Sequence, residues 1–148
     1  MTLLRHLRET FTGHRPKEEE ERKIVLLAVT PWLADQESLR RIAARQGWEL
    51  IVADTLAEAK TILTRRTIPV ILCDRDLPDV DWTESLRAFL EPAGSRCVVL
   101  ISAVNDEYLL REVVHRGGYD VILKPLQEEE RVVSAVQLAW NFWHLGRV

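Results

Sequence analysis

From Lys23 onward, short apolar runs alternate with stretches in which apolar residues recur every three or four positions. Runs of the first kind predict strands buried on both faces, and stretches of the second kind predict helices with one inward stripe. The pattern places strands over 24–29, 49–53, 69–74, 97–102 and 119–123. Helices are expected over 34–46, then after Asp54 or Thr55, from Trp82 to Pro92-Ala93-Gly94, from Asn105 or Asp106 to Gly117-Gly118, and over 128–145. Gly47 fits a helix C-terminal cap and Asp81 an N-cap. The inward stripes read Leu39, Ile42 and Ala43; Ala59, Ile62 and Leu63; Leu86, Phe89 and Leu90; and Leu109, Leu110, Val113 and Val114.

Strict alternation of strand and helix is the pattern of an α/β protein: a doubly wound, five-stranded parallel sheet with helices on both faces. Right-handed crossovers gather the carboxyl ends of the strands along one edge, where open α/β sheets bind ligands. Three polar residues are predicted there: Asp74 after the third strand, Ser102 at the end of the fourth and Lys124 after the fifth.

The chain has 148 residues, 47% of them apolar and 29% charged, enough for one domain with its own core. Residues 1–22 stand apart: Gly13, Pro16 and the run Lys17-Glu18-Glu19-Glu20-Glu21-Arg22 read as a leader and linker, with the domain over 23–148. Leu3, Leu4, Leu7 and Phe11 in that leader suit a short amphipathic helix for a partner or membrane surface or, as the alternative to an interface on the last helix, a segment that folds back to cover its aromatics. The net charge of −3 argues against a nucleic-acid footprint, and the pairs Arg40-Arg41 and Arg65-Arg66 fall on solvated helix faces. No apolar stretch reaches the about 20 residues a membrane span needs, and no signal-peptide pattern opens the chain. Cys73 and Cys97 lie in apolar runs without a neighbouring Cys or His, so buried free thiols and a cytoplasmic setting are expected. A carboxylate next to Cys73 opposes reactivity there.

An acid, a hydroxyl and an amine at adjacent strand ends make a phosphoryl site: Asp as acceptor of an acyl phosphate, Lys as a point charge, Ser as a hydrogen-bond donor. Read singly, each has a plainer role. Asp74 can be a turn acid, Ser102 one of many hydroxyls that end strands, and Lys124 the salt-bridge partner of Asp74. Taken in order and spacing, Asp74 with Leu77-Pro78-Asp79-Val80-Asp81, the strand Val99-Leu100-Ile101-Ser102-Ala103, and Gly118-Tyr119-Asp120-Val121-Ile122-Leu123-Lys124-Pro125 resemble the receiver domain of two-component response regulators. The resemblance implies a flavodoxin-like fold with strand order 2-1-3-4-5. It implies Asp74 as phospho-acceptor, Ser102 and Lys124 as phosphate contacts, a cis Lys124–Pro125 peptide, and a sensor histidine kinase or other signalling protein as partner.

The departures from the family pattern carry as much meaning. The acidic pair that helps the acceptor bind Mg²⁺ falls here on Ala28 and Val29, which have no side-chain oxygen. Asp74 is left as the only expected metal ligand, and Mg²⁺ binding is expected to be weakened or lost. The aromatic that reports phosphorylation falls on Val121, with Tyr119 on the same face by strand alternation. Trp82 replaces a small residue after the acceptor loop, placed to cover the mouth of the site.

The last helix is apolar over most of its circumference. Val132, Val136, Ala139 and Trp143 follow one line; Val133, Trp140, Ala135, Leu138, Phe142 and Leu145 widen it. Trp140, Phe142 and Trp143 are therefore the expected contacts of a homodimer or a docked protein. The expected function is that of a non-enzymatic receiver domain in a phosphorelay. The alternative is a pseudo-receiver, a protein-interaction module that works without phosphorylation. A flavin or nucleotide binder ranks below both, because Thr30-Pro31-Trp32-Leu33 stands where a glycine-rich phosphate loop would be. No DNA-binding or catalytic domain follows the last helix, so output is expected through protein contacts.

Overall fold

The computed structural model describes residues 23–91, 96–104 and 106–145. The expected leader, the Pro92-Ala93-Gly94 helix stop and the Asn105 cap lie outside the described residues. Five strands and five helices alternate among the described residues: β1 (Val25–Val29), α1 (Leu33–Gln46), β2 (Glu49–Ala53), α2 (Leu56–Arg65), β3 (Val70–Asp74), α3 (Trp82–Leu90), β4 (Cys97–Ser102), α4 (Glu107–His115), β5 (Asp120–Leu123) and α5 (Glu129–Leu145). All pairings are parallel, and the sheet order is β2-β1-β3-β4-β5. The expected order is thus observed.

Strand alternation divides the core into two layers. Leu26, Ala28, Val70, Leu72, Val99, Ile101 and Ile122 face α1 and α5, meeting Leu39, Ile42, Val132 and Val136. Leu27, Val29, Ile71, Cys73, Val98 and Leu100 face the other side, meeting Ala59 of α2, Leu86 and Phe89 of α3, and Leu109 and Val113 of α4. The central strands β3 and β4 are buried along their whole length, which explains why their sequences are almost unbroken apolar runs.

The helix ends form where local chemistry permits. Thr55 accepts from Glu58 N, Asp81 from Thr83 N and Asp106 from Tyr108 N, each filling an orphan donor in a first turn. Gly47 closes α1 at φ 75°, a left-handed conformation that a side chain resists. Two expectations are corrected. In α4 only Leu109 and Val113 are buried; Leu110 and Val114 are 42% and 52% exposed. A nine-residue helix against a four-residue edge strand buries one i, i+4 line, not the wider stripe. Tyr119 precedes β5 and packs with the α1/α5 layer, whereas Val121 packs with the opposite layer. The two do not share a face, because strand alternation begins only at Asp120.

Candidate functional site

The carboxyl edge of the sheet is built by backbone pairing before any side chain meets another. Asp74 is the last residue of β3 and pairs with Ile101; Ser102 ends β4 and pairs with Leu123; Lys124 N–H donates to Ser102 O at 2.8 Å. Three consecutive strands thereby place Asp74, Ser102 and Lys124 side by side along one edge. The Lys124–Pro125 peptide is cis, as the resemblance implies.

Asp74 is 1% exposed. One carboxylate oxygen, Oδ1, accepts from Asp76 N–H at 2.8 Å, which folds the loop after β3 around it. The other, Oδ2, lies 2.6 Å from Lys124 Nζ. At that separation the contact is a charge-assisted hydrogen bond as well as an ion pair. Lys124 is shared: its Nζ also lies 2.8 Å from Asp35 Oδ2.

Asp35 is the residue that sequence reasoning missed. It sits in the first turn of α1, and its side chain is 13% exposed beside a Lys124 side chain that is 20% exposed. Nothing in the sequence marks it, because an acid in a first helical turn is ordinary on macrodipole grounds alone. Its position is set by neighbours. Buried Gln36 donates through Nε2 to Thr30 O at 2.7 Å and to Asp54 Oδ1 at 2.8 Å, which pins the start of α1 to the ends of β1 and β2.

Two carboxylates and one ammonium leave the cluster with a formal charge of −1. At an effective dielectric of about 20, each ion pair at this range attracts by about 6 kcal/mol, and the two acids repel by about 3 kcal/mol. Desolvation offsets much of the attraction. The magnitudes show that the amine offsets the repulsion the two largely buried acids would otherwise carry.

Ser102 is fully buried at the same edge, but its hydroxyl turns back on its own loop. Its Oγ accepts from Val104 N–H at 3.0 Å and donates to Val104 O at 3.2 Å. Ala28 and Val29 are fully buried at the end of β1 and offer no oxygen from their side chains. Among the described residues no group of three or more His, Cys, Asp or Glu is placed to hold a metal ion. With Lys124 Nζ already on both the Asp74 and Asp35 carboxylates, the side chains as they stand do not fit Mg²⁺, which prefers near-octahedral oxygen coordination.

The indole beside the cluster is not the expected one. Trp82 packs against the layer of α2, α3 and α4, and Arg116 lies over its ring at 5.8 Å. Trp32, in the loop after β1, lies 6.0 Å from Lys124 Nζ. Trp82 opens α3 and rests partly buried against the core beneath it, whereas Trp32 is the N-cap residue of α1 beside the carboxyl edge. On α5, Trp140 and Trp143 are half-buried against the core, while Phe142 is 60% exposed and its ring stands 5.5 Å from that of Tyr119. Of the three expected interface aromatics, Phe142 is the outward one. Leu138 and Leu145 extend its exposed line.

The model of the response regulator receiver domain matches residues 34–137. The hydrogenase transcriptional regulatory protein HoxA of Cupriavidus necator is 28% identical over 106 residues, covering 71% of this chain and 22% of its own length. The TorCAD operon transcriptional regulatory protein TorR of Escherichia coli is 26% identical over 106 residues, covering 72% of this chain and 46% of its own. The crystal structure of the TorR receiver domain superposes with a TM-score of 0.71 at 24% identity, over 80% of this chain and 98% of that one. The chain thus spans about a quarter of the HoxA relatives and about half of TorR.

Proposed function

Because the chain belongs to the response regulator receiver family, we propose that Asp74 is the side chain on which it accepts a phosphoryl group from a sensor histidine kinase. The observation that carries this reading is the Asp74–Lys124 contact at the carboxyl edge: a buried acid at the end of β3 with an amine 2.6 Å away. An Asp74 carboxylate oxygen attacks phosphorus, the P–N bond of the phosphohistidine breaks, and its electron pair leaves on the imidazole. The product is an acyl phosphate. Lys124 neutralises phosphoryl oxygens, and the Ser102 hydroxyl turns from Val104 O to donate to one of them.

Metal dependence is expected to be weak, since β1 ends in Ala28 and Val29. The domain is a signalling module rather than an enzyme, and a cytoplasmic setting fits its kinase partner. A net charge of −3 does not favour a nucleic-acid backbone, which supports reading its output as a protein contact. The exposed line Leu138, Phe142 and Leu145 of α5 is the face for self-association or a partner. Light scattering across a concentration series tests the homodimer; a constant monomer mass removes it.

The acceptor reading is tested by mixing the chain with a ³²P-labelled histidine kinase, with and without Mg²⁺. A hydroxylamine-labile label that Asp74→Asn abolishes supports it. No label under either condition favours the second reading, a phosphorylation-independent interaction module, to which the loss of both β1 acids already points.

A further inference from the structure

Asp74 and Asp35 come from opposite ends of the first three strand–helix units, yet one oxygen of each converges on a single point. That point holds Lys124 Nζ, 2.6 Å from Asp74 Oδ2 and 2.8 Å from Asp35 Oδ2. We infer that Lys124 is the resident cation of this site, a tethered ammonium that occupies a two-carboxylate cradle and keeps a divalent metal ion out of it.

Three observations carry the inference. Asp74 Oδ2 is buried and lies 2.6 Å from the amine, the separation of a charge-assisted hydrogen bond to a resident cation. The second carboxylate is pre-placed, because Gln36, adjacent to Asp35, ties the first turn of α1 to Thr30 O and Asp54 Oδ1. The usual oxygen sources at the end of β1 are gone, Ala28 and Val29 being fully buried apolar residues. A single positive charge from the chain itself then serves two acids that would otherwise repel. The Trp32 ring, 6.0 Å from Nζ, adds a weak preference for a cation at the same point.

A lysine amine and a divalent ion compete for the same two oxygens, so removing one admits the other. A metal ion sits closer to its oxygens than an ammonium does, about 2.1 Å for Mg²⁺, and water completes the shell. The cradle needs only a small contraction to accept it. This inference stands apart from phosphoryl transfer: it concerns which cation the two carboxylates hold, whether or not Asp74 is ever phosphorylated.

The test is Mn²⁺ binding to the full chain, read by water-proton relaxation and by broadening of backbone amide signals. Lys124→Met is expected to bind Mn²⁺ about tenfold or more tightly than the wild type, with broadening centred on Asp35 and on Asp74 to Asp76. The double variant Lys124→Met/Asp35→Asn is expected to lose that gain. Wild-type affinity equal to that of Lys124→Met would overturn the inference, as would a gain that survives Asp35→Asn. Should Lys124→Met fail to fold, the wild type decides alone through its lysine ¹⁵Nζ spectrum. A slowly exchanging Lys124 ammonium signal unchanged by Mn²⁺ supports a resident cation. Its absence, or its displacement by Mn²⁺, contradicts it.

Discussion

Asp35, in the first turn of α1, lies 2.8 Å from the amine of Lys124 at the end of β5. The contact spans the sheet: α1 packs on one end of its layer, and β5 is the far edge strand. It links the start of the domain to its final strand through an ion pair largely withdrawn from water.

Removing the acid from this pair leaves Lys124 with Asp74 alone. Asp35→Asn is expected to destabilise the fold by about 1–3 kcal/mol, toward the lower end because the amide can still reach the amine. The measurement is urea unfolding: the midpoint should fall while the slope stays constant, since the surface exposed on unfolding is unchanged.

Burial by itself lowers the proton affinity of Lys124, but the Asp35 and Asp74 carboxylates outweigh it and raise the amine above the ordinary lysine value of 10.5. A raised folded-state pKa means that the native state holds the proton more tightly than the unfolded chain. The stabilisation is therefore complete below 10.5 and lost as pH rises through the higher folded value. Wild type and Lys124→Met, compared by thermal unfolding from neutral to strongly alkaline pH, should differ most at neutral pH and converge at the alkaline end.

The two thiols are expected to be inert in the folded chain. Burial, with the Asp74 charge beside it, pushes the Cys73 thiol up to about 12, and burial pushes Cys97 up to about 11. At about pH 8 neither should form an appreciable thiolate, and access is closed as well. A colorimetric thiol reagent should label neither in native buffer and both in denaturant; rapid labelling of native Cys73 would contradict this.

Gly118 and Gly47 should respond differently to alanine. A Cβ on Gly118 would stand 2.5 Å from Val113 Cγ1 and 3.0 Å from Val113 O, so Gly118→Ala forces apart the α4–β5 junction, at about 1–3 kcal/mol. Gly47 has open space around it, and Gly47→Ala costs only the strain of its positive φ, about 1 kcal/mol. Equilibrium unfolding of the two variants should rank Gly118→Ala as the less stable.

The periodicity of the chain was sufficient for its elements and for a parallel α/β sheet, while the strand order followed from the resemblance to receiver domains. Unbroken apolar runs at β3 and β4, helical stripes such as Leu39, Ile42 and Ala43, and caps at Asp81 and Gly47 are local signals, and local physics placed those elements within a residue or two. Asp74, Ser102 and Lys124 were also legible, because a strand end is a position in sequence as well as in space. Tertiary structure decided what those residues touch. Asp35 joined Lys124 because Gln36 anchors α1, Ser102 turned to Val104, and Trp32 rather than Trp82 came beside the amine. It also decided which apolar side chains face outward, sending Leu110, Val114 and Phe142 to the surface. Pattern along a chain determines which face of an element is apolar. Only packing determines which distant side chain arrives opposite a given charge, since that depends on how whole helices seat on the sheet.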